Sequence, residues 1–233
     1  MTASYAVPLA TPVLAVAGDA QAFPVRRVYC VGRNYVEHIR EMKEGDERDP
    51  PFFFQKPSDA VVANGAELAY PPCTKDFQHE IELVVAIGKD GANVAVDDAL
   101  AHVFGYAVGI DMTRRDRQRE MRERMLPWEM GKSFDESAPC GPLHPAARIG
   151  HIGSGAISLS VNGEMRQKGD LTQMIWNVPE IIANLSTQYE LKAGDLIFTG
   201  TPAGVGPVLP GDRIEGAIEG LDTIHFTIGS RKS

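Results

Sequence analysis

Three acidic side chains in this sequence are spaced so that they could share one site. Glu80 and Glu82 open an apolar run that continues to Ile87, and Asp111 ends a second apolar stretch, Tyr106–Ile110. Side chains alternate between the two faces of a strand, so Glu80 and Glu82 point the same way. If Asp111 meets them, the three carboxylates form a ligand set typical of Mg²⁺ or Mn²⁺. The alternative is a half-exposed strand with glutamates on its wet face, which is the commoner explanation of a Glu-x-Glu pair taken alone.

A histidine and a glutamate form a candidate acid–base pair. His38 and Glu41 are three residues apart on a helix predicted from Tyr35 to about Met42, so they share a face. A carboxylate that accepts from one imidazole nitrogen leaves the other nitrogen available as a base. Residues 43–51 are polar and charged, which is typical of a mobile loop or a lid. On spacing alone, a solvated histidine and glutamate on an exposed helix remain the favoured alternative.

Two lysines are further candidates for a site. Lys56 follows the apolar strand Phe52–Gln55, where packing does not require an amine. Lys132 lies in a Gly-Lys-Ser segment similar to the end of a phosphate-binding loop, but Leu126 stands where such a loop requires a glycine. Nucleotide binding is therefore excluded. Solvated surface lysines remain the alternative for both amines.

The predicted helix Thr113–Met125 carries six arginines interleaved with acidic residues. Arginine can grip phosphates, so nucleic-acid binding is one interpretation. The net charge of −8 favours instead a solvated helix face held by ion pairs. Arg115 and Gln118 are three residues apart and share one side of this helix, near Asp111.

The composition is that of an ordinary globular protein. The 233 residues are 43% hydrophobic, enough for the core of one large β-rich domain or two small ones. The acidic balance argues against general nucleic-acid or membrane partners, and no apolar run approaches membrane-spanning length. Three cysteines fit a reducing compartment, and the N-terminal stretch lacks the basic residues of a signal peptide. We therefore expect a cytoplasmic protein.

Frequent turn signals divide the chain into short strands with few helices, which predicts an α+β, β-rich fold and not a doubly wound sheet. Residues 1–24 are interpreted as an N-terminal arm and residues 25–233 as the main domain. The last strands include Asp195–Thr199, which leads into the glycine-rich segment Gly200–Gly206. That segment could present backbone N–H groups to an anion or simply form a tight loop. The predicted strands are Arg27–Val31, Phe52–Gln55, Glu80–Ile87, Tyr106–Ile110, Ile157–Val161, Met165–Gln167, Asp195–Thr199, Arg213–Ile218 and Thr223–Ile228, with a further helix at Pro179–Tyr189.

Taken in order along the chain, these motifs resemble those of the fumarylacetoacetate hydrolase (FAH) family. The resemblance covers essentially everything from about Val25 to the C-terminus. Many motifs in one order make it specific for the family, but they do not fix the substrate. The matching segments are Val31–Tyr35 with His38 and Glu41, Gln55–Ser58, His79–Leu83, Gly109–Asp116, Gly131–Phe134, Val161–Glu164 and Thr199–Gly206.

The resemblance implies a mixed β-sandwich roll with a few short helices, usually in a homodimer, with one Mg²⁺ or Mn²⁺ in each active site. By position, Glu80, Glu82 and Asp111 would bind the metal, and His38 with Glu41 would activate water. The residues implied to line the pocket of a small keto-acid substrate are Lys56, Arg115, Gln118, Lys132 and Thr201.

Family members act on small β-diketo or 2-keto acids, and the residues fit that chemistry. Hydrolysis of a carbon–carbon bond releases a carbanion, so it requires an electron sink such as a cation chelated by the 2-keto acid. His38, oriented by Glu41, would deprotonate a water that attacks the 4-carbonyl. Lys132, as a catalytic residue, would stabilise the oxyanion together with Arg115 or Gln118.

Within the family, the stretch Pro51–Pro57 resembles the corresponding stretch of the enzymes that hydrolyse 3-fumarylpyruvate to fumarate and pyruvate in gentisate-type aromatic breakdown. Arg33 could bind the distal carboxylate of such a dianion, or it could pair only with the acidic loop. The alternative function is decarboxylation or double-bond isomerisation of a 2-keto acid, such as oxaloacetate or an unsaturated heptenedioate. An interaction protein built around the arginine-rich helix is a more distant third hypothesis.

Overall fold

Short strands dominate the chain, as the turn signals predict. The computed structural model describes residue 6, residues 11–37 and residues 49–231. The helices cover Arg115–Glu123, Glu129–Lys132, Ala146–Ile149 and Val178–Gln188, and 3-10 turns cover Ser58–Ala60, Val96–His102 and Leu171–Gln173. The strands are β1 (Val13–Ala15), β2 (Ala22–Pro24), β3 (Arg27–Gly32), β4 (Phe52–Lys56), β5 (Val61–Ala63), β6 (Glu67–Tyr70), β7 (Phe77–His79), β8 (Ile81–Ile87), β9 (Val103–Ile110), β10 (Thr113–Arg114), β11 (Ala138–Cys140), β12 (His144–Pro145), β13 (Ala156–Val161), β14 (Glu164–Asp170), β15 (Asp195–Phe198), β16 (Gly206–Pro207), β17 (Arg213–Ile218) and β18 (Ile224–Arg231).

A mixed sheet of eight strands forms the centre of the fold. Its order is β4-β3-β15-β8-β9-β11-β5, and β12 pairs with β9 off this path. The pairs β15–β3 and β11–β5 are parallel, whereas β8 is antiparallel to both of its neighbours. Every residue of β8 is buried. Apolar clusters cover both faces of this sheet, which explains why β8 appears in the sequence as a continuous apolar run.

A second sheet of five strands covers one face of the first. Its order is β14-β13-β17-β18-β6. Ile81 and Ile110 of the large sheet belong to one apolar cluster with Leu159 and Ile224 of the second sheet. The two curled sheets and their shared core confirm the predicted β-rich sandwich roll with few helices.

The N-terminal hairpin covers the opposite face of the large sheet. Its strands β1 and β2 pair antiparallel, and Leu14 and Phe23 join Val84 and Phe198 in a second apolar cluster. The division into an arm at 1–24 and a domain at 25–233 stays a prediction. The hydrophobic contacts of Leu14 and Phe23 hold the described part of this arm against the large sheet.

A small sheet ordered β10-β7-β16 lies next to the arginine-rich helix and changes where that helix begins. The prediction of a helix over Thr113–Met125 is wrong at both ends, because the helix covers Arg115–Glu123. Thr113 and Arg114 form β10 instead and pair with Gln78 and Phe77. Hydrogen bonds to a neighbouring strand occupy this backbone, which the local sequence pattern does not reveal.

Some predictions fall outside the described residues. Val36 and Glu37 are helical, but the remainder of the predicted helix Tyr35–Met42, with His38 and Glu41, belongs to residues 38–48, which the structure does not describe. In the described ranges, no helix has the length and apolar character needed to cross a membrane.

Candidate metal centre and substrate pocket

Three buried carboxylates meet where β8 begins and β9 ends. Glu80 directly precedes β8, Glu82 lies within it, and Asp111 directly follows β9. The backbone N–H of Asp111 donates to the carbonyl oxygen of Glu80 at 2.8 Å, which fixes the two strand ends against each other. One oxygen from each carboxylate lies within 4.8 Å of the others. The structure therefore brings together the three acids that the sequence singles out.

Glu82 carries the least compensated charge of the three. Its Oε2 accepts a hydrogen bond from the backbone N–H of Gly200 at 2.7 Å. Within residues 11–37 and 49–231, no lysine or arginine forms a salt bridge with it. Burial, and then the charges of Asp111 and Glu80, raise the pKa of Glu82 well above its ordinary value. A divalent cation would relieve this repulsion, so an oxygen-only donor set of this charge fits Mg²⁺ or Mn²⁺.

Asp111 offers a second oxygen suited to a cation. Lys56 Nζ lies 2.8 Å from Asp111 Oδ1, but without the angles of a hydrogen bond. Asp111 Oδ1 is buried and accepts no hydrogen bond from the described residues. The Lys56 ammonium compensates part of the charge of this oxygen, and its lone pairs would be available to a metal ion.

Lys132 lies between two of the three acids. Its ammonium donates to Glu80 Oε2 at 2.8 Å, to Asp111 Oδ2 at 2.7 Å and to Thr113 Oγ1 at 2.7 Å. Burial lowers the pKa of this amine, but Asp111 and Glu80 outweigh burial and leave the pKa raised. Lys132 therefore stays charged at the edge of the pocket, with all three of its donors used in this arrangement.

Lys56 lies behind Asp111, away from the pocket wall. Its side chain is fully buried, and its ammonium donates to the carbonyl oxygens of Met112, at 3.1 Å, and Lys132. It is absent from the walls of the pocket that Asp111 and Lys132 line. Its contacts suit an amine that holds Asp111 and the backbone of Lys132. Direct contact of Lys56 with substrate stays a prediction.

Arg115 and Gln118 both turn inward from the arginine-rich helix, as their spacing predicts. Arg115 pairs with Glu80 through Nη2 and donates through Nε to Gln78 Oε1 at 2.8 Å. Its Nη1 donates to Gln118 Oε1 at 2.5 Å, and both side chains line the pocket. Arg117 of the helix and Arg124 just after it behave differently, because both pair with Glu120 on the outer side.

The pocket above the carboxylates has a charged end and an aromatic wall. Arg33 is exposed at its mouth, and the Cζ of its guanidinium lies 5.7 Å from the ring centre of Phe52. Phe52 and Trp128 pack edge to face with their ring centres 4.8 Å apart. The residues that line the pocket are Val31, Gly32, Arg33, Phe54, Glu80, Glu82, Asp111, Arg115, Gln118, Trp128, Lys132, Gly200 and Thr201.

Sequence reasoning missed the aromatic wall. Phe54 lies in the strand interpreted as buried core, and Trp128 directly follows the proline expected to end the arginine-rich helix. An aromatic side chain just before the Gly131-Lys132 segment is the signal that could have pointed to Trp128. Nothing in the local pattern distinguishes Phe54 from a core residue.

The site as a whole can do two things. Its three carboxylates can hold a hard cation, and its buried amine and guanidinium can bind negative charge beside that cation. Together these features define a metal-assisted active site for a small anion in a β-rich roll.

Comparison with known proteins agrees with this class. Residues 27–229 match the family model described as fumarylacetoacetate (FAA) hydrolase C-terminal. The crystal structure of fumarylpyruvate hydrolase from Pseudomonas aeruginosa, in complex with Mn²⁺ and pyruvate, superposes with a TM-score of 0.94 at 55% identity, covering 97% of this chain and 98% of that one. The protein belongs to the fumarylacetoacetate hydrolase family.

Two curated relatives carry different names. Fumarylpyruvate hydrolase from a Ralstonia species is 47% identical over 178 residues, 76% of this chain and 92% of its own length. The mitochondrial oxaloacetate tautomerase of Homo sapiens is 41% identical over 203 residues, 87% of this chain and 91% of its own length. Relatives with comparable identity to this chain are therefore named for different activities.

Proposed function

We propose that the protein is a metal-dependent hydrolase that cleaves the carbon–carbon bond of an acylpyruvate, with 3-fumarylpyruvate as substrate and fumarate and pyruvate as products. The observation that carries the proposal is the cluster of Glu80, Glu82 and Asp111 within 4.8 Å, next to a buried ammonium. It is supported by the 55% identity to a fumarylpyruvate hydrolase whose structure holds Mn²⁺ and pyruvate.

Glu80, Glu82 and Asp111 would hold Mg²⁺ or Mn²⁺. When bound, this cation would stabilise negative charge on the oxygens of the 2-keto acid. Lys132, charged and held at the same acids, would exchange one of its three hydrogen bonds for one to the substrate oxygen that gains charge during the reaction. Arg115 and Gln118 would orient the substrate from the neighbouring wall.

His38 and Glu41 would move the proton. In this scheme an imidazole nitrogen of His38 takes a proton from water, and the hydroxide adds to the 4-carbonyl carbon of the substrate. The bond between carbons 3 and 4 then breaks, its electron pair leaves with the pyruvate fragment as an enolate, and carbon 3 takes up a proton. Glu41 would orient the imidazole. Both roles rest on position within the family motif.

Arg33 and the aromatic wall would receive the acyl end of the substrate. Arg33 is exposed at the pocket mouth above Phe52, where a guanidinium can pair with the distal carboxylate of a fumaryl group. Phe54 and Trp128 offer flat apolar surface to its planar double bond. A dianionic, planar acyl group fits both features.

The direct test is to incubate the purified protein with 3-fumarylpyruvate and Mn²⁺ and to follow the loss of its enol absorbance. We expect stoichiometric fumarate and pyruvate by NMR, and no turnover after EDTA treatment until Mn²⁺ is restored. No absorbance loss at saturating Mn²⁺, or full activity in metal-free buffer, would contradict the proposal.

A second candidate is tautomerisation or decarboxylation of a 2-keto acid such as oxaloacetate. It is supported by the 41% identity to a mitochondrial oxaloacetate tautomerase, an alignment that covers more of this chain than the Ralstonia hydrolase does. The products separate the candidates. Pyruvate with a free acid indicates hydrolysis, CO₂ indicates decarboxylation, and an unchanged mass indicates isomerisation.

We also propose a cytoplasmic homodimer that acts in aromatic-acid breakdown. The three free cysteines, of which Cys30 and Cys140 are buried, support a reducing compartment. Light scattering coupled to gel filtration would give twice the chain mass of 25.3 kDa for a dimer. The metabolic role can be tested with a strain that lacks the gene, supplied with gentisate as its carbon source. The proposed role predicts that this strain does not grow.

A further inference from the structure

Gln167 of β14 is a fully buried glutamine that links three separate segments of the fold. Its exposure is 0%, and its side chain makes four polar contacts. Oε1 faces His79 Nδ1 at 2.9 Å and the backbone nitrogen of Ile81 at 3.1 Å. Nε2 faces Thr201 Oγ1 and the carbonyl oxygen of Pro202, both at 2.8 Å. The glutamine therefore joins the strand of the candidate metal ligands to the loop that carries Thr201.

Two backbone groups fix which way this amide points. The nitrogen of Ile81 is a donor only, so the atom of Gln167 that faces it must be the oxygen. The carbonyl of Pro202 is an acceptor only, so the atom that faces it must be the nitrogen. The orientation of the amide is thus determined from both ends. His79 must then donate from Nδ1, since the amide oxygen cannot donate.

The hydrogen bond between Gln167 and Thr201 also has a fixed direction. The amide nitrogen of Gln167 has two hydrogens; one goes to Pro202 and the other to Thr201 Oγ1. Thr201 therefore accepts from Gln167 and keeps its own hydroxyl hydrogen. Thr201 lines the pocket, and in the described part of the chain no acceptor is paired with this hydroxyl hydrogen. The remaining direction for its donation is the pocket.

We propose that Gln167 is a positioning residue that holds the hydroxyl of Thr201 as a hydrogen-bond donor to a negatively charged oxygen of a 2-keto acid. The inference rests on the proposed function only in requiring that a 2-keto acid binds this pocket. It applies equally to the hydrolase and to the tautomerase alternative. The oxygen of Thr201 accepts from a buried amide while its hydrogen stays available, so the hydroxyl favours an anionic acceptor in the pocket.

The test uses Gln167→Glu, a change that keeps the shape but replaces Nε2 by an acceptor. The new oxygen cannot donate to Thr201, and it attracts the hydroxyl hydrogen of Thr201 away from the pocket. We expect pyruvate to bind the Mn²⁺-loaded variant roughly 10- to 100-fold more weakly by calorimetry, the range for a hydrogen bond to a charged group. For 3-fumarylpyruvate, KM should rise by a similar factor, with kcat changed much less.

Thr201→Val and the double variant give the decisive comparison. Thr201→Val should weaken pyruvate binding as much as Gln167→Glu does, and the double variant should be no weaker than either, because both changes remove the same donor. Thr201→Ser keeps the hydroxyl and should bind pyruvate with an affinity close to that of the wild type. Leu159→Val is the stability control, since Leu159 pairs with Gln167 in the β13–β14 register but its apolar side chain makes none of the four polar contacts.

Each outcome decides the proposal. Unchanged pyruvate affinity in Gln167→Glu, fully additive losses in the double variant, or an equal loss in Leu159→Val would overturn the role of Gln167 and leave the proposed function standing. Should pyruvate fail to bind the Mn²⁺-loaded wild type, both the role of Gln167 and the proposed function are wrong. Circular dichroism and the melting temperature of each variant establish that the compared proteins are folded.

Discussion

The ammonium of Lys132 donates to Asp111 Oδ2 at 2.7 Å, deep inside the site. The same nitrogen also reaches Glu80. One side chain therefore neutralises part of two candidate metal ligands and remains charged beside the pocket. A cation bound by these acids would lie next to a second positive charge, and both would face the oxygens of an anionic substrate.

The first prediction concerns this lysine. In Lys132→Met, Glu80 and Asp111 keep Arg115 and Lys56 but lose the cation that they share. We therefore expect the melting temperature in EDTA to fall, by a destabilisation of about 1.5–3 kcal/mol. Mn²⁺ should restore part of that loss, while kcat stays about 10²–10³-fold below wild type because the oxyanion loses its donor. Lys192→Met is the matched control, since Lys192 forms only exposed ion pairs with Asp90 and Glu190. Wild-type kcat in Lys132→Met would remove Lys132 from the mechanism.

The second prediction concerns Glu82 and pH. Burial and the neighbouring acids raise the pKa of Glu82 in the folded protein, so the folded state holds this proton more tightly than the unfolded state. The stability that the proton contributes is complete below the unfolded pKa and is lost as pH rises through the folded pKa. Glu82→Gln has no such proton to lose. As the pH rises from about 5 to about 8, the melting temperature of the metal-free variant should therefore fall less than that of the metal-free wild type.

Metal addition provides the control for Glu82→Gln. Mn²⁺ should raise the melting temperature of the wild-type protein and have little effect on the variant, because ligand binding stabilises only a protein with an intact site. The amide can keep the hydrogen bond from Gly200, so the local structure is preserved. Equal Mn²⁺ stabilisation of both proteins would exclude Glu82 from the metal site.

The third prediction separates the two ends of the substrate. Arg33 has a positive φ of 61°, a conformation that asparagine tolerates well, so Arg33→Asn removes the guanidinium with little backbone strain. We expect kcat/KM for 3-fumarylpyruvate to fall roughly 10- to 100-fold, the range for a charged hydrogen bond. Acetylpyruvate has no distal carboxylate and should react nearly as before. Equal losses for both substrates would contradict the assignment of Arg33 to the acyl end.

The fourth prediction tests how closely the segment Gly131-Lys132 packs on the arginine-rich helix. A Cβ on Gly131 would lie 2.7 Å from the backbone nitrogen of Gln118 and 2.8 Å from its Cα, and backbone cannot move aside cheaply. Gly131→Ala should therefore lower both the melting temperature and the activity, typically by about 1–3 kcal/mol in stability. Gly153→Ala meets nothing within 4 Å and is the control. Equal melting temperatures of Gly131→Ala and Gly153→Ala would show that the Gly131-Lys132 segment and the helix are free to separate.

The fifth prediction isolates the proposed dyad. His38→Asn removes the base without altering the carboxylate cluster, so kcat should fall about 10²–10⁴-fold while Mn²⁺ and pyruvate bind as in the wild type. Glu41→Gln should reduce kcat less, because it disturbs only the orientation of the imidazole. Loss of Mn²⁺ affinity in His38→Asn would instead indicate a role in metal binding.

The sequence determined the features that depend on local periodicity and on the order of motifs. Alternation along a strand places Glu80 and Glu82 on one side, and helical spacing turns Arg115 and Gln118 together. The motif order indicated the family and its β-rich roll. Each of these depends on residues close together in the chain, so it can be read without knowing which strands pair.

Only the tertiary structure decided how distant segments meet. The pairing of β10 with β7 shortened the arginine-rich helix, and the packing of β4 placed Lys56 behind Asp111 and not on the pocket wall. Gln167 is 88 residues from His79 along the chain, and no periodicity of β14 marks it as a partner of the site. Sheet register and side-chain burial are long-range consequences of the whole fold, because each depends on competing pairings that a local pattern does not encode.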